Sequence, residues 1–306
     1  MKILCFGSLN IDHVYRVEHL ARSGETLAST DYRVFAGGKG ANQSAALALA
    51  GAAVFHAGQV GPEGGWLVAK LSGLGVEMRF TRTVEVPTGH AIIQVEASGQ
   101  NSIILFPGAN RQVSSAWADQ VIGHFSFGDI LLLQNEINEI PHLITQGRKQ
   151  GLTVCLNPAP GGPEVAEYPL EQIDLLVLNE TEAAQLVGEA RPQEQLARLG
   201  LRYPEAEILL TLGSQGSWYR LAGQVLHEPA LSVEAVDTTG AGDTFLGYFL
   251  AALAAGLPPV ERLKRATRAA ALCVTRPGAM DSIPAAAEVD RLGESWPTRS
   301  PQRLVV

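Results

Sequence analysis

Residues 129–180 read DILLLQNEINEIPHLITQGRKQGLTVCLNPAPGGPEVAEYPLEQIDLLVLNE. Within them DILLLQNE (129–136), LTVCLNP (152–158) and DLLVLNE (174–180) are short runs, mostly apolar on both faces, and the helical pattern IPHLITQGRKQG (140–151) separates the first two. Strands that are apolar on both faces belong to a parallel sheet covered on each side by helices. The alternation continues outward through the runs ILCFG (3–7), VFHAGQVG (54–61) and EILLTLG (207–213). Helical patterns fall at 41–51, 64–75 and 114–125, and two more, 244–256 and 260–275, follow the last of these strands. The pattern predicts an α/β three-layer sandwich, a mainly parallel central sheet flanked by helices, as one domain over 1–306.

Two segments depart from the alternation. Residues 12–36 mix charged and apolar positions, and TGHAIIQVEASGQNSIILF (88–106) reads as a hairpin about Ser98-Gly99. They predict a small β-sheet over one edge of the main sheet, placed to act as a lid. The C-terminal SWPTRSPQRLVV carries no pattern.

Composition narrows the function. The 306 residues are 46% hydrophobic and 18% charged, a folded rather than a disordered profile. A net charge of −8 without a basic run argues against nucleic acid or an anionic membrane as partner. No run approaches the ~18 apolar residues of a membrane span, and MKILCFGSLN reaches polar residues too soon for a signal peptide. Cys5, Cys155 and Cys273 lie far apart in apolar runs and read as reduced packing residues, so a cytoplasmic location is expected.

Val236-Asp237-Thr238-Thr239-Gly240-Ala241-Gly242-Asp243-Thr244-Phe245 stands directly before an apolar helix. Gly240 and Gly242 permit a tight turn whose amides gather at the helix N-terminus, where the dipole favours an anion. Asp243 reads either as a helix cap or as a carboxylate beside that anion hole, accepting the proton of a hydroxyl that attacks a terminal phosphate. Amides of Gly240, Ala241 and Gly242 would stabilise the transferring group. A dinucleotide fingerprint fails because Phe245 occupies its third glycine position. A Walker loop around Gly38-Lys39 fails because Arg33 stands at its first glycine and Gly40 at its Ser/Thr.

Near the N-terminus, Gly7-Ser8-Leu9-Asn10-Ile11-Asp12 is expected to end the first strand, with Asn10 and Asp12 on one side. That pair suits the vicinal hydroxyls of a sugar, or closes the strand as an Asx turn. In Gly37-Gly38-Lys39-Gly40-Ala41-Asn42-Gln43, Lys39 and Asn42 share the face of a helix start.

GGKGANQ followed by DTTGAGDTF, in this order and at about this distance, resembles the PfkB (ribokinase-like) carbohydrate kinases. The resemblance covers nearly the whole chain through GSLNID (7–12), SGETL (23–27), TGHAIIQV (88–95), GQNSIILFPGAN (99–110), LLLQNE (131–136), LNPAP (156–160), LNETEAAQLVG (178–188), TLGSQG (211–216) and VTRPGAMDSIP (274–284). It implies transfer of the γ-phosphoryl group of ATP to the 5-hydroxyl of D-ribose. In that reading Asn10, Asp12, Gly38, Lys39, Asn42 and Glu136 hold the sugar and Asp243 is the base. ATP lies along Asn179, the turn with Thr211, Gly213 and Gly216, Gly240–Gly242 and Thr267. Glu182, in Asn179-x-x-Glu182, serves Mg²⁺ through water. A monovalent cation, K⁺, is implied at Asp237, Thr239, Cys273, Arg276, Gly278 and Ser282, largely through backbone carbonyls. The family often dimerises through the lid, which splits Val14, Tyr15, Val34, Ile92, Ile93, Ile103 and Leu105 between a sugar-facing and a partner-facing side.

The chain departs from the pattern at Gly61-Pro62-Glu63-Gly64, at Thr267 where an asparagine is frequent, and at Asn135, an exchange that bears on the sugar pocket. Alternative acceptors are deoxyribose, a ketose, a sugar acid or a nucleoside, the last needing aromatic residues such as Tyr15 and Phe35 beyond the sugar. A sugar-binding regulator without catalysis is a further alternative.

Overall fold

The computed structural model describes residues 1–295 and 302–304. In chain order its strands and helices begin β1 (Ile3–Phe6), β2 (Asn10–Val17), β3 (Asp31–Gly37), α1 (Lys39–Leu49), β4 (Val54–Val60), α2 (Gly65–Gly73), β5 (Glu77–Thr83), β6 (Gly89–Glu96) and β7 (Asn101–Phe106). The middle of the chain gives α3 (Ser115–Ile122), β8 (Ile130–Gln134), α4 (Ile140–Gln150), β9 (Thr153–Asn157), β10 (Leu175–Asn179), α5 (Glu180–Val187), α6 (Pro192–Arg202) and β11 (Glu207–Thr211). The last part gives β12 (Ser217–Leu221), β13 (Gln224–Glu228), α7 (Ala241–Ala254), α8 (Pro259–Cys273), α9 (Ala286–Ser295) and β14 (Gln302–Leu304). Most of the patternless C-terminal segment lies outside the described residues.

The large sheet runs β14-β13-β12-β11-β10-β9-β8-β1-β4-β5. From β11 to β5 it is parallel, and the β12–β13 hairpin extends it antiparallel. Alternation along β1 decides the layers. Ile3 and Cys5 pack with α1, α7 and α8, whereas Leu4 and Phe6 pack with α3, α4, α5 and α6. All four residues are fully buried, as a central strand covered on both sides requires.

Local chemistry starts and stops the helices. Ser114 caps α3 by accepting the Trp117 N–H. Pro141, Pro192 and Pro259 open α4, α6 and α8, where no intrahelical N–H is lost, and Gly151 closes α4 in the left-handed region. The three cysteines are free and buried, and burial pushes the Cys5 thiol up to about 11. No helix among the described residues is long and apolar enough to cross a membrane.

The second sheet, β3-β2-β6-β7, follows the two departing segments, with 18–30 a connecting loop. One expectation is corrected here. β1 ends at Phe6, so Asn10 and Asp12 lie on β2, a strand of the small sheet, rather than at the end of the first strand. Gly7, Ser8 and Asn10 read as a strand end because the chain changes sheets there, and the switch is marked by buried Ser8 and Leu9.

Candidate active site

The parallel strands bring their carboxyl ends to one edge, and the site forms there. Helix α7 enters it through Gly240, which takes φ 76° as the N-cap. Asp243 is therefore a first-turn residue and not the cap itself. The Ala241 amide closes the turn on the Thr238 carbonyl, and among the described residues those of Gly242 and Asp243 have no backbone acceptor. A Cβ on Gly242 would meet nothing within 4 Å, so these amides border open space.

Asp243 is buried, and each of its oxygens receives an amide from α1. Asn42 Nδ2 donates to Oδ2 at 3.1 Å and Gln43 Nε2 to Oδ1 at 2.8 Å. Two residues in sequence reach one carboxylate because α1 and α7 pack closely, with Gly247 against the backbone of Ala46 and Leu47. Oδ1 of Asn42 is buried without a partner among the described residues, an acceptor open to a ligand hydroxyl. The Lys39 ammonium is held above its usual range, chiefly by the Asp243 charge, against burial, with Glu136 and Glu182 adding to it.

Glu136, just beyond β8, receives the Ser8 hydroxyl and, at 2.8 Å, the Lys39 N–H on its Oε2. Burial raises its pKa against those bonds. Asn10 Oδ1 accepts from Asn110 Nδ2 at 2.7 Å, and Asn110 also ties down both polar groups of the Leu9 backbone. Asp12 has no hydrogen-bond partner for its carboxylate among the described residues, and burial, then the Glu136 charge, push it up to about 6. Gly37 and Gly38 permit the approach: a Cβ at 37 would strike the Asp12 carboxylate, and Gly38 takes φ 90° beside Ser8 and Asn10.

A cleft of about 520 Å³ adjoins the α7 N-terminus. Asn179, Thr211, Gly213, Gly216, Gly242 and Thr267 line it, joined by apolar residues such as Leu231 and Val274. Gly240 shapes the turn behind the cleft and does not line it. The Thr267 hydroxyl is buried without a partner among the described residues. Asn179 and Glu182 form a capping box on α5: Asn179 Oδ1 accepts the Glu182 N–H at 2.8 Å, and Glu182 Oε2 accepts the Asn179 N–H at 3.0 Å. Burial raises the Glu182 pKa.

Asp237 accepts from Thr239 N and Oγ1 on one oxygen and from the Gly278 N–H on the other. These bonds outweigh burial and hold its carboxyl below the usual range. Cys273 Sγ lies 3.0 Å from Ser282 Oγ and 3.3 Å from Thr244 Oγ1, so five of the six residues implied for a monovalent cation form one knot under the α7 turn. The sixth, Arg276, turns its guanidinium to Glu288 at 2.6 Å and leaves only its carbonyl as a donor to a cation.

Two expectations about pocket walls change. Asn135 is fully used by Pro160 O, Glu164 and Tyr168, and braces the 160–168 loop instead of the sugar pocket. Strand pairing puts Phe35 on the Asp12 face, whereas Tyr15 lies on the opposite one, tilted against Tyr32 with ring centroids 4.8 Å apart. Sequence reasoning missed Ser8, Gln43, Asn110 and Gln134 as site residues. Gln43 carried a signal, since it closes the same GGKGANQ run.

A model of the pfkB family of carbohydrate kinases matches residues 1–286. The chain is 35% identical over 300 residues to a ribokinase of Bacillus subtilis, covering 95% of this chain and 99% of the relative. It superposes with TM-score 0.83 at 34% identity on a Cryptococcus neoformans ribokinase in complex with ADP, covering 95% and 99%. A TM-score of 0.83 at 31% identity relates it to an Arabidopsis thaliana ribokinase complexed with ribose and ATP, covering 95% and 97%.

Proposed function

The chain belongs to the pfkB family of carbohydrate kinases, and we propose that it transfers the γ-phosphoryl group of ATP to the 5-hydroxyl of D-ribose. The observation that carries this reading is the Asp243 carboxylate, buried at the N-terminus of α7 with one amide from α1 on each oxygen. A carboxylate so held is an acceptor with lone pairs to spare for a hydroxyl proton. As that hydroxyl attacks the γ-phosphorus, its proton passes to Asp243, and the bond to the ADP oxygen breaks. The amides of Gly242 and Asp243 and the Lys39 ammonium face the charge on the transferring group.

Asn10, Asp12, Asn42 and Glu136 offer hydroxyl partners on one side, and the apolar-walled cleft beside Gly242 takes the nucleotide. The residues present fit Mg²⁺ held through water. Glu182 spends its carboxylate on the Asn179 cap yet keeps lone pairs for water, and the ion would screen the nucleotide phosphates. The Asp237 knot fits a K⁺ ion ligated by carbonyls, which would brace the Gly240–Gly242 turn without touching substrate. Turnover in K⁺ about tenfold above that in Na⁺ alone is expected, and equal rates would remove the cation from the reading.

The small sheet is proposed to close over the sugar and exclude water. Val14, Ile93, Ile103 and Leu105 share the Asp12 face; Tyr15, Val34 and Ile92 share the other, proposed to meet a second copy of the chain. Ile103 and Ile104 are 56% and 64% exposed, so both faces present apolar surface. ADP release with MgATP and D-ribose, deoxyribose, fructose, ribonucleosides or sugar acids tests the assignment. Ribose turnover well above the rest supports it, and a different preferred acceptor keeps the base while reassigning the pocket.

A further inference from the structure

We infer that Gln43, oriented by Gln134, is the positioning residue that holds the Asp243 carboxylate in the single rotamer in which it meets the acceptor hydroxyl. The inference rests on the reading of Asp243 as the base.

The two amides on Asp243 are not equivalent. Asn42 leaves its Oδ1 without a partner, so its carboxamide is oriented only by the bond to Asp243 itself and by no other group of the described residues. Every polar atom of the Gln43 amide is used. Its Nε2 donates to Asp243 Oδ1 at 2.8 Å and to Asn157 Oδ1 at 3.1 Å, and its Oε1 accepts from Gln134 Nε2 at 2.7 Å. A flipped Gln43 would set its oxygen against two acceptors and its NH₂ against the NH₂ of Gln134. Three hydrogen bonds would become three repulsions.

Gln134 is fully buried at the end of β8, and its own Oε1 has no partner among the described residues. An amide with an orphaned oxygen is a costly way to fill that space, and a Met would pack it without the penalty. What a donor at 134 supplies is the 2.7 Å bond to Gln43 Oε1, beside a longer one to Cys5 Sγ at 3.5 Å that is weak because sulfur is a poor acceptor. The flank of Gln134 is kept open by Gly7, whose Cβ would strike the amide. The chain of contacts thus runs from the central strands β1 and β8, through two amides, to the carboxylate on α7. It fixes the orientation of a group that has only two torsions of its own.

Steady-state kinetics of the full chain with D-ribose and MgATP test this. Gln43→Met is expected to lower kcat about tenfold to a hundredfold, the worth of one hydrogen bond to a charged group, with both KM values within about threefold. Gln134→Met, which touches no part of Asp243, is expected to lower kcat about threefold to tenfold. The double variant should be no slower than Gln43→Met, because the second amide acts only through the first. A Gln43→Met enzyme within about twofold of the parent, or losses that multiply in the double variant, would overturn the inference. Should Gln43→Met fail to fold, unchanged kcat in Gln134→Met would overturn it alone. Asp243→Asn separates the two readings. If it keeps its turnover, the base assignment falls and this inference with it; if it loses turnover while Gln43→Met does not, only this inference falls.

Discussion

Asp243 and Asp12 are both carboxylates assigned to one sugar, yet they are held in opposite ways. Asp243, at the start of α7, faces α1 inside the large sheet's helical layer, with both oxygens bonded by the protein's own amides. Asp12 stands on β2 of the small sheet, without a hydrogen-bond partner among the described residues, desolvated by burial and repelled by Glu136. Its sheet ends in β7, exposed along its whole length. The group that must be aligned for chemistry is preorganised by the core, whereas the group that must recognise hydroxyls is left unsatisfied until they arrive.

The largest effect should come from the preorganised side. Asp243→Asn removes the proton acceptor while keeping shape, and kcat for D-ribose should fall about 10²–10⁴-fold in an ADP-release assay. Persistent turnover would show that the two carboxylates do not divide the work in this way.

Gly247→Ala sharpens the claim that packing holds the base. A helical Gly→Ala exchange ordinarily stabilises by about 1 kcal/mol, but here the new methyl would collide with Ala46 on α1, and overpacking costs about 1–3 kcal/mol. The collision wins. Thermal melting should show Tm lowered by a few degrees, and kcat should drop about tenfold as Asp243 leaves the reach of Gln43.

On the recognition side, Asp12→Asn should raise the KM for D-ribose about tenfold or more with kcat nearly kept. Asp12 titrates at about 6 in the folded chain against a usual 3.8. The folded state therefore binds the extra proton, and stability contributed by this group rises as pH falls from about 6 toward 3.8. At pH 7.5 the ionised carboxylate is a burden, so Asp12→Asn should melt higher than the parent, with the gap narrowing near pH 4.5. The same titration gives a KM for D-ribose that climbs below pH 6. A pH-independent KM would break the link between the unsatisfied carboxylate and sugar binding.

The smallest kinetic effect is expected at the outer face of the small sheet. Ile104→Asp should convert a dimer to monomers in sedimentation velocity, with kcat within about twofold. A parent that sediments as a monomer would remove the partner-facing role of that face.

The sequence announced these two regions unequally. Six parallel strands were legible because burial on both faces writes a continuous apolar run, and six helices were legible beside them, whereas α5 and α6, which also cover the sheet, were not. Strand β5, EMRFTRT, was not, since an edge strand alternates with exposed charge. The β12–β13 hairpin escaped for a related reason: SWYRL and QVLHE carry partly exposed polar residues at the sheet's far side. Among site residues, the glycine runs marked Asn42, Lys39 and Asp243 through spacing. Ser8, Asn110 and Gln134 act through partners 91–128 positions away, and no local pattern encodes such a meeting. Asn10 and Asp12 were found by residue type but placed on the wrong element, because a switch between sheets looks like a strand end.

Binding of D-ribose to Asp243→Asn, followed by isothermal titration calorimetry in the presence of a non-hydrolysable MgATP analogue, tests the division of labour most directly. The account predicts ribose affinity within about tenfold of the parent in a protein that no longer turns over. Loss of ribose binding together with turnover would contradict it, by showing that Asp243 recognises the sugar as much as it takes its proton.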